Sequence, residues 1–286
     1  MKANHRLTGE RKSSQGMAIG LLVAVAVLFG QEAMAMPDTV NLGTTAGFSV
    51  LAGAGITITG PTTIVGDIGT FPTTSITGLE NLTLDGVNHA GDAVTQQAKD
   101  DLVIAYDDAA GRSYDVTYGG GFDLVGLTLT PGVYNASSSL FLSGNLTLDA
   151  EGNDDAVWIF QTGSTLITAS DSTVSLINGA VACKVFWQVG SSATLGTDSH
   201  FEGHILALTD ITLTTGATVN GQVLARNGAV TMDTNTIILE RCDSTLPVPV
   251  PEGGSAILML GIGIAGLAAL RRLFEQASGS RLVKHA

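Results

Sequence analysis

Residues 203–225 read GHILALTDITLTTGATVNGQVLA, a stretch that begins and ends on nearly the same phrase, GHILA and GQVLA. The two phrases are 18 residues apart, and VFWQV at 185–189 lies another 18 residues earlier. Each 18-residue unit contains three short segments rich in Val, Ile and Thr, which favour strands. A pair of helices needs more residues per repeat. The pattern therefore predicts a mainly β protein, a triangular β-solenoid in which every turn supplies one strand to each of three faces.

Alternation along each strand separates interior from surface side chains. We call the face of 185–189, 203–207 and 221–225 the first, that of 191–195, 209–213 and 227–231 the second, and that of 197–201, 215–219 and 233–237 the third. The side chains expected inside are Ala193, Ile211 and Ala229 on the second face and Phe201, Val219 and Ile237 on the third. Thr194 and Thr212 are expected in solvent on the second face, and His200, Thr218 and Thr236 on the third.

The first face is apolar on both sides and must be covered. Its inward residues Trp187, Ile205 and Val223 alternate with outward Phe186, Leu206 and Leu224. The one long helical pattern of the chain, at about 89–112, offers a cover. Its apolar stripe consists of Val94, Ala98, Leu102, Ala105 and Ala109. We therefore predict that this helix packs along the first face, and that strands before and after it join side by side.

Both ends of the chain have the pattern of targeting segments. A basic start, an apolar run and an Ala-x-Ala site predict a secretory signal peptide at 1–35. The solenoid domain is expected at 36–246, followed by a Pro/Gly linker at 247–254. An apolar segment at 255–272 contains Arg271 and Arg272 at its end, and a tail runs over 273–286.

The C-terminal order of Val-Pro-Glu, apolar segment and Arg-Arg resembles a PEP-CTERM-type sorting signal. The resemblance implies sorting machinery as a partner and a secreted or outer-surface location in a Gram-negative bacterium. Retention of the segment as a transmembrane anchor is the alternative.

The net charge limits the possible partners of the protein, and its two cysteines and its histidines limit the possible disulfide and metal sites. Residues 36–251 contain five Lys and Arg against 22 Asp and Glu, a net charge of about −17, which excludes nucleic acid as a partner. The two cysteines, Cys183 and Cys242, are expected to form a disulfide in an exported protein. His89, His200 and His204 show no metal-ligand spacing, and no cofactor or metal is expected.

Several stretches together resemble the microbial ice-binding (antifreeze) protein family. They include FSVLAGAGITITGPTTIVGDIG (48–69), AYDDAAGR (105–112) and the repeats of 183–231. The resemblance implies a right-handed triangular solenoid with one helix alongside, and an ice crystal surface bound by a flat Thr-rich face. We expect the protein to be monomeric. A loose T-A/G-x-T/N pattern implies that the third face binds ice. The implied residues are Thr59, Thr62, Thr168, Thr197, Thr215, Gly216, Thr218, Thr234 and Thr236.

Two other functions are found on solenoid folds. Enzymes on β-helices need convergent carboxylates or a calcium cluster with a basic partner, and the repeat offers neither, so no catalytic residue is assigned. A surface adhesin or structural solenoid that binds glycan or matrix is the remaining alternative. The charges of Asp171, Asp198, His200 and Asp233 on the third face favour it.

Overall fold

The computed structural model describes residues 36–242 as a right-handed triangular solenoid of parallel strands with one long helix alongside. The first face contains β1 (Phe48–Ala52), β4 (Asp67–Thr70), β7 (Val116–Tyr118), β10 (Gly132–Ala136), β13 (Trp158–Thr162), β16 (Val185–Val189) and the second halves of β18 (His200–Ala207) and β20 (Thr218–Ala225). The second contains β2 (Gly55–Ile58), β5 (Ile76–Thr77), β8 (Phe122–Asp123), β11 (Leu140–Leu142), β14 (Leu166–Thr168), β17 (Ala193–Leu195), β19 (Ile211–Leu213) and β21 (Ala229–Met232). The third contains β3 (Thr62–Val65), β6 (Leu82–Asp85), β9 (Thr128–Leu129), β12 (Asn145–Asp149), β15 (Thr173–Ile177), β22 (Thr236–Ile238) and the first halves of β18 and β20.

The stacking order of the turns differs from their order in the chain. The strands before the helix lie beyond the last turn, so that β1 pairs with β20, β2 with β21 and β3 with β22. Val50 is in register with Val223, and Thr63 with Thr236. The prediction that early and late strands join side by side is therefore confirmed.

A continuous hydrophobic core fills the solenoid and contains a stack of aromatic rings. The rings of Phe160 and Trp187 lie 3.9 Å apart, nearly parallel, and both side chains are buried. Neighbouring contacts extend the stack through Phe122, Tyr118, Tyr134 and Phe201. Equivalent strand positions therefore stack the same kind of side chain turn upon turn, which holds the faces flat and in register.

The helix α1 (Ala93–Gly111) covers the first face as predicted. It begins at Asp92, whose carboxylate accepts a hydrogen bond from the backbone N–H of Thr95. Ala98, Leu102, Ala105 and Ala109 pack against Phe186, Leu206 and Leu224 in a second apolar cluster outside the sheet.

One residue of the predicted helical stripe is wrong. Val94 is 48% exposed, because the buried stripe begins one residue later, at Thr95. Lys99 and Tyr106 complete the buried stripe. The ammonium of Lys99 donates to the carbonyl oxygen of Ala225 at 2.6 Å, which ties the helix to the solenoid.

The last turn contains a register shift that corrects the assignment of Ala229. Ile211 pairs with Val230, 19 residues later, whereas Thr218 pairs with Thr236 at the 18-residue offset. One extra residue in the corner before β21 turns Val230 and Met232 inward, where both are fully buried, and leaves Ala229 half-exposed. A shift of one residue moves every side chain of a strand to the opposite face.

The predicted disulfide is present and joins Cys183 to Cys242, with the two Cα atoms 5.5 Å apart. It fastens the end of the described chain to the body of the solenoid. The predictions for the segments 1–35, 247–254, 255–272 and 273–286 fall outside the described residues. Between residues 36 and 242, no helix is both long and apolar enough to cross a membrane.

Candidate functional site

A row of five threonines runs across the second face, and we call it the second-face ladder. Thr77, Thr57, Thr231, Thr212 and Thr194 lie on adjacent parallel strands in register. Their neighbours within each strand point into the core, so these side chains point outward. With strands about 4.8 Å apart, the row extends for roughly 19 Å. The five side chains form a regular linear array of hydroxyl and methyl groups.

Beyond Thr194, apolar side chains continue the column of the second-face ladder. Ile167 is in register with Thr194, and Phe141 with Ile167. Asp123 follows Phe141 only in the terminal strand β8. The column of outward side chains is therefore free of charge from Thr77 through Phe141, among the strands that the structure describes.

Two carboxylates flank the second-face ladder, and both accept hydrogen bonds from the protein. Asp210 accepts from the backbone N–H of Ala229 at 2.8 Å. Asp233 accepts from the hydroxyl of Thr215 at 2.6 Å. Both carboxylates are thus held by the neighbouring turn, beside the threonine column and not in it.

The support beneath the second-face ladder is rigid. Ile211, Leu213, Val230 and Met232, the inward neighbours of two ladder threonines, are at most 1% exposed. Each threonine is β-branched, which restricts rotation about its first side-chain bond. The spacing of the array is thus fixed by the backbone, and ordering it against a ligand costs little conformational entropy.

The third face also contains a threonine row, but it is interrupted. Thr83, Thr63, Thr236 and Thr218 lie in register on adjacent strands. His200 follows Thr218, and its Nδ1 lies 2.8 Å from the Thr218 hydroxyl. The imidazole is exposed and projects from the middle of the row. Thr173 and Asn145 continue it beyond the histidine.

A second outward column of the third face mixes charged, polar and apolar side chains, since Asn220 is in register with Ile238 and Ile238 with Val65. Glu202 is in register with Asn220, whose side-chain amide donates to Glu240 at 2.6 Å. Burial raises the pKa of Glu202 to about 7, and the neighbouring charge of Glu240 acts in the same direction. The third face is therefore less uniform than the second.

Two residues of the predicted site are not on the surface. Thr62 is 1% exposed and its hydroxyl donates to the carbonyl oxygen of Gly60, because it lies on the same side of β3 as the core residue Ile64. Thr168 is 4% exposed and its hydroxyl accepts from the backbone N–H of Gly196. Both are therefore wrong as surface contacts. Thr63 occupies the outward position in β3.

Four predicted threonines lie at the corner between the second and third faces, which we call the threonine corner: Thr59, Thr197, Thr215 and Thr234, all exposed. Gly216 lies in this corner at φ +78°, in the left-handed region that glycine adopts without strain. Asp171, Asp198 and Thr234 adopt similar positive φ values in neighbouring turns. The remaining predicted residues, Thr218 and Thr236, belong to the third-face row.

None of the five ladder threonines was predicted as an ice contact, although Thr194 and Thr212 were expected in solvent on the second face. Thr57 and Thr77 belong to the strands before the helix, which join the ladder only through the pairing of β2 with β21. The 18-residue period places Thr231 on the inward side of its strand with Ala229, and the register shift turns it outward. The alternation of GITIT at 55–59 predicts outward threonines, but the sequence does not show where this strand lies in the stack.

The described part of the chain offers few other side-chain clusters that could form a site. Residues 36–242 bring together no group of three or more His, Cys, Asp or Glu side chains able to hold a metal ion. His89 bridges Asp92, at 2.8 Å, and Asp67, at 3.5 Å, beside the start of α1. This arrangement anchors the helix to the solenoid.

Known proteins with similar sequences and structures indicate the family of this chain. The family described as Ice-binding-like matches residues 50–238. An ice-binding protein of Nostoc sp. (strain HG1) is 44% identical over 272 residues, 93% of this chain and 98% of the relative. One from Colwellia sp. is 39% identical over 76% of this chain and 90% of its own length. The crystal structure of an ice-binding protein from the Antarctic ascomycete Antarctomyces psychrotrophicus has a TM-score of 0.68 at 41% identity, covering 71% of this chain and 99% of that one.

Proposed function

Because this chain belongs to the Ice-binding-like family, we propose that the protein binds ice and that the second-face ladder is its contact surface. The proposal rests on one observation above all. Five outward threonines lie in register on adjacent strands, with no charged side chain in their column. The uninterrupted row on the third face is four threonines long and ends at His200.

The physical basis is the order of the water that such an array holds. Ordered water bound between fixed hydroxyls costs little entropy to immobilise. The methyl groups of threonine limit the competing orientations of that water, and the backbone fixes the repeat at about 4.8 Å. A flat, rigid surface of this kind can merge its bound water with an ice lattice. An irregular or charged surface instead orients water around each charge.

The threonine corner forms the rim of this surface in our proposal. Thr59, Thr197 and Thr215 lie along one edge of the second face and extend it toward the third. The third-face row of Thr218 and Thr236, with Gly216, is the alternative contact surface that the sequence motif favours. The two faces point in different directions, so single substitutions distinguish them.

The test is inhibition of ice recrystallisation by the purified protein and two tyrosine variants. Thr212→Tyr places a ring at the centre of the second-face ladder, and Thr218→Tyr places one on the third-face row. We expect Thr212→Tyr to lose most of the activity and Thr218→Tyr to keep it. Unchanged thermal unfolding of both variants is the control for folding. The opposite outcome would assign ice contact to the third face, and no activity in the unaltered protein would refute ice binding.

We also propose that the protein is an exported, monomeric binding protein without enzymatic activity. The signal-like residues 1–35 support export, and the sorting-like residues 250–272 support a place at the outer surface of a Gram-negative cell, either processed or retained as an anchor. Fractionation of cells, with mass determination of the mature protein, tests both ends of the chain at once.

A further inference from the structure

Three asparagine–glycine pairs lie in the described part of the chain, at 178–179, 220–221 and 227–228. In such a pair the backbone nitrogen of glycine can attack the side-chain carbonyl carbon of asparagine, because glycine has no Cβ to hinder the approach. The attack requires a side-chain amide that turns toward the nitrogen and a nitrogen that makes no hydrogen bond of its own. The three pairs differ in both respects.

Two of the three asparagine side chains are held by carboxylates. The amide of Asn178 donates to Oδ1 of Asp149 at 2.8 Å. The amide of Asn220 donates to Oε2 of Glu240 at 2.6 Å, and the pair of Asn220 and Gly221 lies inside the paired strand β20. Hydrogen bonds to an ionised carboxylate are among the stronger ones in proteins. Each of these bonds must break before the amide can turn toward the glycine nitrogen.

The third asparagine, Asn227, is free to turn. Its side chain is exposed, and within residues 36–242 its amide makes no hydrogen bond. The N–H of Gly228 also donates to no acceptor among the described residues, although the N–H groups on either side of it do. That of Asn227 donates to the carbonyl oxygen of Leu208 at 3.0 Å, and that of Ala229 donates to Oδ1 of Asp210 at 2.8 Å. Both reacting groups of this pair are therefore available.

The corner at Asn227 is also the joint between the last turn and the strands before the helix. The N–H groups of Gly53 and Ala54 both donate to the carbonyl oxygen of Gly228, each at 2.9 Å. A Cβ at Gly53 would lie 2.6 Å from the backbone carbonyl carbon of Asn227. On the opposite side, a Cβ at Gly228 would overlap the backbone of Thr209. The corner is therefore closely packed between two neighbouring turns, and this packing requires a glycine after Asn227.

We propose that Asn227 is a site of spontaneous deamidation, and that its isoaspartate product loosens the joint between β2 and β21. The nitrogen of Gly228 forms a bond to Cγ of Asn227 and ammonia leaves, which closes a succinimide ring. Water then opens the ring at one of its two carbonyl carbons and gives aspartate or isoaspartate. The net reaction consumes one water and releases one ammonia, with no oxidation or reduction. The site is independent of ice contact.

Isoaspartate changes the backbone at the joint as well as its charge. The main chain then runs through Cβ and Cγ of residue 227, which adds one carbon to it, and the former backbone carbonyl becomes a carboxylate. That carbonyl lies against Gly53, so the new charge and the extra atom both fall in the packed corner. Closely packed groups accept an added atom only by shifting. The hydrogen bonds from Gly53 and Ala54 to Gly228 are therefore the first that the modification weakens.

The test follows the purified protein during storage in mildly alkaline buffer, by peptide mapping with mass spectrometry. Enzymatic methylation of isoaspartate measures the amount of that product. Asn227→Ser removes the reacting amide. Asn178→Ser, at another exposed asparagine that precedes glycine, is the matched control. Unchanged thermal unfolding of both variants before storage is the control for folding.

We expect deamidation of Asn227 to be at least about tenfold faster than that of Asn178 or Asn220, the factor for first breaking one hydrogen bond. Asn227→Ser should remove most of the product, and Asn178→Ser should leave it. In the isolated isoaspartyl form, hydrogen exchange of the Gly53 and Ala54 amides should be about tenfold faster than in the unaltered protein. Deamidation of Asn178 or Asn220 at the rate of Asn227, an unmodified Asn227, or unchanged exchange at Gly53 and Ala54 overturns the proposal.

Discussion

Thr57 lies in register with Thr231, although the long helix and most of the solenoid separate them in the chain. This pairing of a strand before the helix with the last turn extends the second-face ladder from three threonines to five. The discontinuous topology therefore lengthens the candidate ice surface beyond what consecutive turns supply.

The first prediction is that the strands before the helix belong to the same ice-contact surface as the later turns. Thr57→Tyr should reduce inhibition of ice recrystallisation as strongly as Thr212→Tyr, because both rings stand in one flat row. Thr83→Tyr, at an exposed position on the third face, is the matched control and should keep full activity. If Thr57→Tyr were as active as the unaltered protein, the strands before the helix would lie outside the contact surface.

A second prediction concerns close backbone contact between turns. Gly221 has φ +142°, and a Cβ there would overlap the carbonyl oxygen of Gly203 in the neighbouring turn. Gly221→Ala should lower the free energy of unfolding by about 2 kcal/mol or more, measured by chemical denaturation. Gly111→Ala, where a Cβ meets no atom within 4 Å, is the control and should change it by less than about 0.5 kcal/mol. Equal effects of the two substitutions would contradict this account.

A third prediction follows from the raised pKa of Glu202, which burial brings to about 7. The folded state holds the proton more tightly than the unfolded state, whose carboxyl has its ordinary pKa of 4.5. The associated stabilisation is thus fully present below about pH 4.5 and is lost as the pH rises through 7. Relative to Glu202→Gln, the protein should lose stability between pH 5 and pH 8. Parallel pH profiles of the two proteins would show that Glu202 does not contribute.

The fourth prediction tests the disulfide as a staple for the last described strand. Replacement of Cys183 and Cys242 by serine opens a covalent loop of about 60 residues and should cost about 4 kcal/mol in the chain-entropy description. The second-face ladder lies elsewhere, so ice activity measured near 0 °C should persist in the folded fraction. Thermal unfolding and recrystallisation inhibition, measured on the same sample, separate the two effects.

The sequence predicted the architecture because the repeat expresses it directly. Phe201, Val219 and Ile237 follow one another at 18-residue steps and are all buried on the third face. The apolar outer side of the first face identified the position of the helix in the same way, since Phe186 and Leu224 needed a cover. Local alternation and a fixed period were enough for these elements.

The site was harder to predict because it depends on register between distant strands. One extra residue before β21 exchanges Ala229 for Val230 inside and brings Thr231 outside. Thr62 matched the motif by sequence, yet Thr63 is the residue that pairs with Thr236. A shift of one residue leaves composition unchanged and reverses the face, so the motif alone could not determine which hydroxyls reach solvent.

Adsorption to ice tests the central claim most directly. The unaltered protein, Thr212→Tyr and Thr218→Tyr, each carrying the same fluorescent label, are offered to a growing single crystal of ice, and the fraction incorporated is measured. The account predicts that the unaltered protein and Thr218→Tyr are incorporated equally and that Thr212→Tyr is excluded. Incorporation of Thr212→Tyr at the level of the unaltered protein would contradict it.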